Sequence, residues 1–152
     1  MASSLTITAS TVDPGLLALP WSTPLAQWPS SVIVSLPKGL SRHLVRFAML
    51  SGGVVAVKET TEEMARREYE MLGNLTRLAV PCVDRGAVVA GRVDPDGNPL
   101  PAALVTAHLK FSLPYRALFQ QVLRPDTATR LVDALAVLLV RLHNVGFFWG
   151  DV

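Results

Sequence analysis

The sequence predicts an α+β chain, strands first and helices after them, on three observations. Between Ser31 and Lys58, β-branched apolar runs are separated by the Gly-containing turns Pro37-Lys38-Gly39 and Ser51-Gly52-Gly53, hairpin signals twice in succession. After Thr60 the apolar spacing lengthens to the helical period. Leu131 to Leu142 is the most apolar segment; it falls short of the roughly 20 residues a membrane crossing takes and holds Asp133 and Arg141, so it reads as a buried helix.

Residues 1–30 read as an irregular leader rich in Ser, Thr and Pro, with Trp21 and Trp28 expected as anchors onto the domain surface. Three antiparallel strands follow, at Val32-Ile33-Val34, His43 to Leu50 and Val54 to Lys58. Thr60-x-x-Glu63 matches a capping box and starts a helix expected from Thr61 to about Leu78. Half the residues are apolar, enough in 152 residues to bury the core of one domain, or of one lobe plus part of a second. The net charge of +2 comes from eleven Arg and three Lys scattered among the acids, with no basic stripe, so nucleic acid is not an expected partner. Cys82 is the only cysteine and reads as a small buried hydrophobe, which suits a reducing cytoplasm. The N-terminus has neither the charged nor the continuous apolar region of a signal peptide, so a cytoplasmic location is expected and no membrane span.

Two charges stand at apolar positions. In GGVVAVKE, alternation puts Val54, Ala56 and Lys58 on one face and Val55 and Val57 on the other. Taken alone, Lys58 could simply reach solvent past the strand end. On the following helix, at about 100° per residue, Met64, Ala65, Leu72, Leu75 and Ala79 form a stripe with Glu68 at its centre, while Arg66, Glu70, Asn74 and Arg77 take the opposite half. A carboxylate facing an apolar interface needs a partner, and Lys58 is the nearest candidate, so a Lys58–Glu68 ion pair is expected.

This order of features, a Gly-containing turn, a V-A-V-K strand, a helix with an inward Glu and a later L-H-x-x-G-x-x-x-G-D, resembles the protein-kinase-like superfamily over residues 31–152. His143 and Asp151 have the eight-residue spacing of that family's helix histidine and catalytic aspartate. The variant Trp149-Gly150-Asp151 is similar to bacterial lipopolysaccharide-kinase-like and other small-molecule kinases, and LALPWSTPLAQWP and LPKGLSRHLVRF resemble a bacterial kinase-like family of unestablished function.

The resemblance implies a kinase-like N-lobe over 31–107, a five-stranded antiparallel sheet plus C-helix, then a hinge and the start of a helical C-lobe over 108–152. Arg85 to Val93 and Pro101 to Thr106 would be strands four and five, joined by the turn Asp94 to Pro99. Ser112-Leu113-Pro114 would cap a short helix to Leu123, and Pro125 would start a long one to about Asn144, stopped by Gly146. His143 would be a core histidine.

The implied chemistry is phosphoryl transfer from ATP to a hydroxyl of a small-molecule, glycan or lipid-linked sugar acceptor. Lys58 would hold the α and β phosphates, Glu68 would fix Lys58, Ala56 would pack on the adenine, and Asp151 would orient or deprotonate the acceptor. Thr106 would guard the back of the pocket, with the hinge at Ala107, His108 and Leu109 meeting the adenine edge through its backbone. The phosphate turn is reduced to Gly39 with Ser41 and Arg42, which leaves phosphate contact and a plain β-turn as equal readings. The family's Mg²⁺ ligands would lie past Val152, so the chain is expected to be an incomplete fragment without turnover, on whose exposed apolar face the missing C-lobe docks. Two alternatives stay open: a pseudokinase-like nucleotide-binding or scaffolding module, and a structural domain in which Lys58 and Glu68 form only a core pair.

Overall fold

The structure, a computed structural model, describes residues 4–36, 43–110 and 115–148. It divides into two compact units, Met1–Gly73 with Val83–Leu109 and Asn74–Cys82 with Lys110–Val152. The first unit is built on one antiparallel sheet of β1 (Thr6–Ala9), β2 (Ile33–Val34), β3 (Val45–Leu50), β4 (Gly53–Thr60), β5 (Arg85–Ala90) and β6 (Ala102–Ala107), in spatial order β1-β5-β6-β4-β3-β2. Six strands, not five, overturn the five-stranded kinase-like lobe with its C-helix expected from the sequence. The additional strand comes from the leader, which is not irregular: Thr6-Ile7-Thr8-Ala9 pairs with Ala87–Ala90 and covers an edge that β5 would otherwise leave open.

The leader then runs over one face of the sheet. Helix α1 (Pro14–Leu17) is capped by Asp13, whose carboxylate accepts from Gly15 N at 2.7 Å. Leu16, Trp21, Leu25 and Trp28 are buried against Ala48, Val57, Val89, Ala103 and Val105. The two indoles meet edge to face at 5.3 Å, and their N–H groups donate to the carbonyls of Leu16 and Thr23. Burying each such side chain is worth roughly 1.5–3 kcal/mol, so the leader belongs to the core.

Helix α2 (Glu62–Arg77) covers the other face, where Ala65 and Tyr69 pack on Val88, Ala90, Ala102 and Leu104. Its cap is Thr61, not Thr60: Thr60 is still paired opposite Ala102, and Thr61 Oγ1 accepts from Met64 N at 3.2 Å. Met64 is 49% exposed whereas Tyr69 is buried, so the apolar stripe is rotated and Glu68 sits on its flank, not at its centre. The helix ends in a Schellman turn, with Val80 N bonded to Leu75 O and Ala79 N to Thr76 O; Ala79, expected within the stripe, lies past the helix end at φ 54°.

In the second unit α3 (Tyr115–Phe119) stops short of Leu123, and residues 112–114, its expected cap, lie outside the described residues. Helix α4 (Pro125–Asn144) begins and ends where expected, and Gly146 stops it at φ 84°. It is not a buried helix, however: none of its residues is buried, and Val132, Val137 and Val140 are more than half exposed. Apolar composition shows that a helix favours cover, not that cover is present. His143, expected in a core, is exposed with its ring 5.2 Å from that of Phe148, and Cys82 is half-buried 3.5 Å from Thr76 Oγ1. Among the described residues no helix is long and apolar enough to cross a membrane.

Candidate functional site

Alternation along β4 sends neighbouring residues to opposite faces, and two neighbours there each carry an ion pair. Glu59 faces the leader, and its Oε1 accepts from Arg92 Nη1 at 2.8 Å and from Leu25 N at 2.9 Å. The Arg92 side chain is fully buried and spends its other donors on backbone: Nε on Trp21 O at 3.0 Å, Nη1 also on Pro101 O at 2.9 Å, and Nη2 on Thr23 O at 2.8 Å. With so little surface and every group engaged, this pair fastens the leader to the sheet.

Lys58 faces α2, and its Nζ donates to Glu68 Oε2, as expected from the sequence. This pair has a different character, for the two side chains keep 24% and 33% of their surface exposed. An ammonium carries three donors and Glu68 takes one, so Lys58 is held in place by a carboxylate without being enclosed.

Register sets what lies beside it. Phe47, Ala56 and Thr106 are direct cross-strand partners on β3, β4 and β6, so they form one row on the same face as Lys58, two residues back along β4. Phe47 is buried, and its ring meets that of His108 edge to face at 5.0 Å. Ala56 and Thr106 are half-buried, and the small Ala56 leaves a low point between two larger neighbours. At the end of β6, Ala107 N donates to Asp84 O and His108 N to Val54 O, each at 2.9 Å. Those two N–H groups are therefore spent within the protein. Leu109 follows them, 50% exposed.

The structure thus brings Lys58, Glu68, Ala56 and Thr106 onto one face, with Ala107 at the end of β6 and Leu109 two residues past it. Gly39, Ser41 and Asp151 lie outside the described residues. An open groove of about 540 Å³ lies at the far end of β4, lined by His43, Glu59, Thr60, Thr61, Pro101 and Ala102 among others; neither Lys58 nor the Phe47–Ala56–Thr106 row lines it. Among the described residues no group of three or more His, Cys, Asp or Glu converges as a metal would require.

Two arginines at the ends of RGAVVAGR escaped the sequence reading. Arg92 ties down the leader, and Arg85 lies over Tyr69 of α2. The only signal was an arginine at each end of an apolar strand. No protein-family model, curated protein or solved structure matches the chain, so the site rests on its own geometry.

Proposed function

We propose that the first unit binds the phosphates of ATP, as the nucleotide-holding part of a phosphotransferase whose acceptor is a hydroxyl of a small molecule, a glycan or a lipid-linked sugar. The observation that carries the reading is the Lys58–Glu68 pair, partly exposed and set beside the low point at Ala56. A lysine ammonium is a compact point charge suited to phosphate oxygens, and a carboxylate that holds it from the far side pre-organises it for an anion. Phosphoryl transfer depends almost wholly on such positioning and electrostatics. The resemblance to protein-kinase-like chains supports the same roles, with Asp151 as the residue that would orient the acceptor. Mg²⁺ is the expected companion of the nucleotide; the described residues do not form a cage for it, and no step is derived through it. A cytoplasmic location would supply the ATP.

The test is a thermal unfolding series with ATP and ADP on the native chain and on Lys58→Met. A ligand at about 100 times its Kd adds roughly 2.7 kcal/mol, which for a chain of this size raises Tm by about 5–11 °C. Lys58→Met is expected to melt within about 8 °C of the native chain without ligand, because breaking a partly buried pair costs roughly 1–2 kcal/mol, and to lose the nucleotide shift. A nucleotide shift that survives Lys58→Met undiminished, or no shift in the native chain at millimolar nucleotide, overturns the reading.

A further inference from the structure

We infer that Arg85 is a positioning residue for the same site: its guanidinium sets the seat of α2 on the sheet, and through that seat the reach of Glu68 to Lys58. The inference rests on the phosphate-binding reading for its meaning, but the geometry behind it is independent. Arg85 opens β5 directly opposite Thr106, so it extends the Phe47–Ala56–Thr106 row on the α2 face. Its Cζ lies 4.4 Å from the centre of the Tyr69 ring, and its Nη1 donates to Tyr69 O at 3.4 Å. Among the described residues no carboxylate lies within ion-pair reach of it. A ring and a helix carbonyl therefore hold this cation, both belonging to α2.

Gly73 explains how the guanidinium fits. A Cβ at that position would stand 2.2 Å from Arg85 Nη1, 2.4 Å from Cζ and 2.9 Å from Nη2, closer than any such contact allows. Glycine is the poorest helix former after proline, yet Gly73 lies inside α2. It is the missing side chain, not conformational freedom, that the arginine uses. The Tyr69 carbonyl is the one that the helix ladder assigns to the N–H four residues on, at Gly73, so Arg85 grips α2 at that turn. Glu68 is the residue before Tyr69. A shift of α2 that separates Tyr69 from Arg85 therefore carries Glu68 away from Lys58.

The experiment reads the Lys58–Glu68 contact without nucleotide, so that it can fail separately from the proposed function. The chain has three lysines, and the exposed Lys110 is the internal reference. Trace acetylation with acetic anhydride, well below the melting temperature, gives the labelling of Lys58 relative to Lys110 by peptide mass spectrometry. Glu68→Gln defines the ratio with the pair broken. Gly73→Ala, which fills the seat while favouring the helix, and Arg85→Ala are each expected to raise the ratio about twofold or more toward that limit, the smallest coupling typical of residues in contact. In the Arg85→Ala background, adding Gly73→Ala should change nothing further. If Arg85→Ala melts near the assay temperature, Arg85→Met, which keeps the apolar stem, takes its place in the cycle. A ratio that stays native in Gly73→Ala, or a Gly73→Ala effect that persists once Arg85 is gone, overturns the inference.

Discussion

Replacing Arg92 by methionine should expose how much of the fold depends on the leader. The substitution keeps an apolar stem of similar reach but removes donors to three carbonyls, those of Trp21, Thr23 and Pro101, and leaves Glu59 with only Leu25 N. The Glu59 side chain is 13% exposed, at the edge of the open groove, so water can replace only part of the lost partner. Removing one member of a buried pair costs about 3–5 kcal/mol, which at about 2–4 °C per kcal/mol for this chain length lowers Tm by roughly 6–20 °C. Tryptophan fluorescence is a suitable probe because Trp21 and Trp28 are buried beside the pair. Adding Glu59→Leu should recover part of the loss, since the second change removes the stranded charge while costing about 1 kcal/mol for the Leu25 bond. A drop below about 3 °C for Arg92→Met, or a double variant as unstable as the sum of the singles, would refute this account of the leader clamp.

Two further outcomes follow from local geometry. The Ser51 hydroxyl first, and the Gly15 and Gly52 N–H groups with it, hold the Asp13 carboxyl below its ordinary value of 3.8 against a smaller opposing effect of desolvation. A carboxyl lowered on folding stabilises above its unfolded value and loses that contribution as pH falls through its folded value, so the Tm gap between the native chain and Asp13→Asn should hold steady from neutrality to about pH 4 and close below it. Ala79 occupies the left-handed position of the Schellman turn, where an L side chain costs roughly 1–2 kcal/mol, and Ala79→Gly is expected to raise Tm by about 2–8 °C; an unchanged or lowered Tm would show that the extra unfolded-state freedom of glycine outweighs the relieved strain.

The Lys58–Glu68 pair was legible because both of its signals are local. A strand period of two and a helix period near 3.6 each place one charge at an apolar position, ten residues apart, with little chain between them to redirect either. The Arg92–Glu59 pair was not legible, although it is more deeply buried. Three of its acceptors are carbonyls, two of them about seventy residues away in the leader, and backbone acceptors leave no trace in side-chain pattern. The same limit hid β1: Thr6-Ile7-Thr8-Ala9 reads as loop among serines and threonines until β5 offers an edge to it. Helix α4 failed in the other direction. Its ends were set by Pro125 and Gly146 and could be read, but whether its valines are covered depends on neighbours its own sequence does not name.

The two faces of β4 divide the work between them. Val57 and Glu59 are locked by the leader, one by packing and the other by a guanidinium with no surface at all, so the strand that carries Lys58 has a fixed backbone. On the opposite face the partner of Lys58 is carried by α2, which buries Ala65, Tyr69 and Leu72, with Ala65 and Tyr69 in one cluster with Val88, Ala90, Ala102 and Leu104. Among these Tyr69, which lies under Arg85, is the one adjacent in sequence to Glu68. With one partner on the sheet and the other on the helix, the Lys58–Glu68 pair depends on how α2 sits on β4.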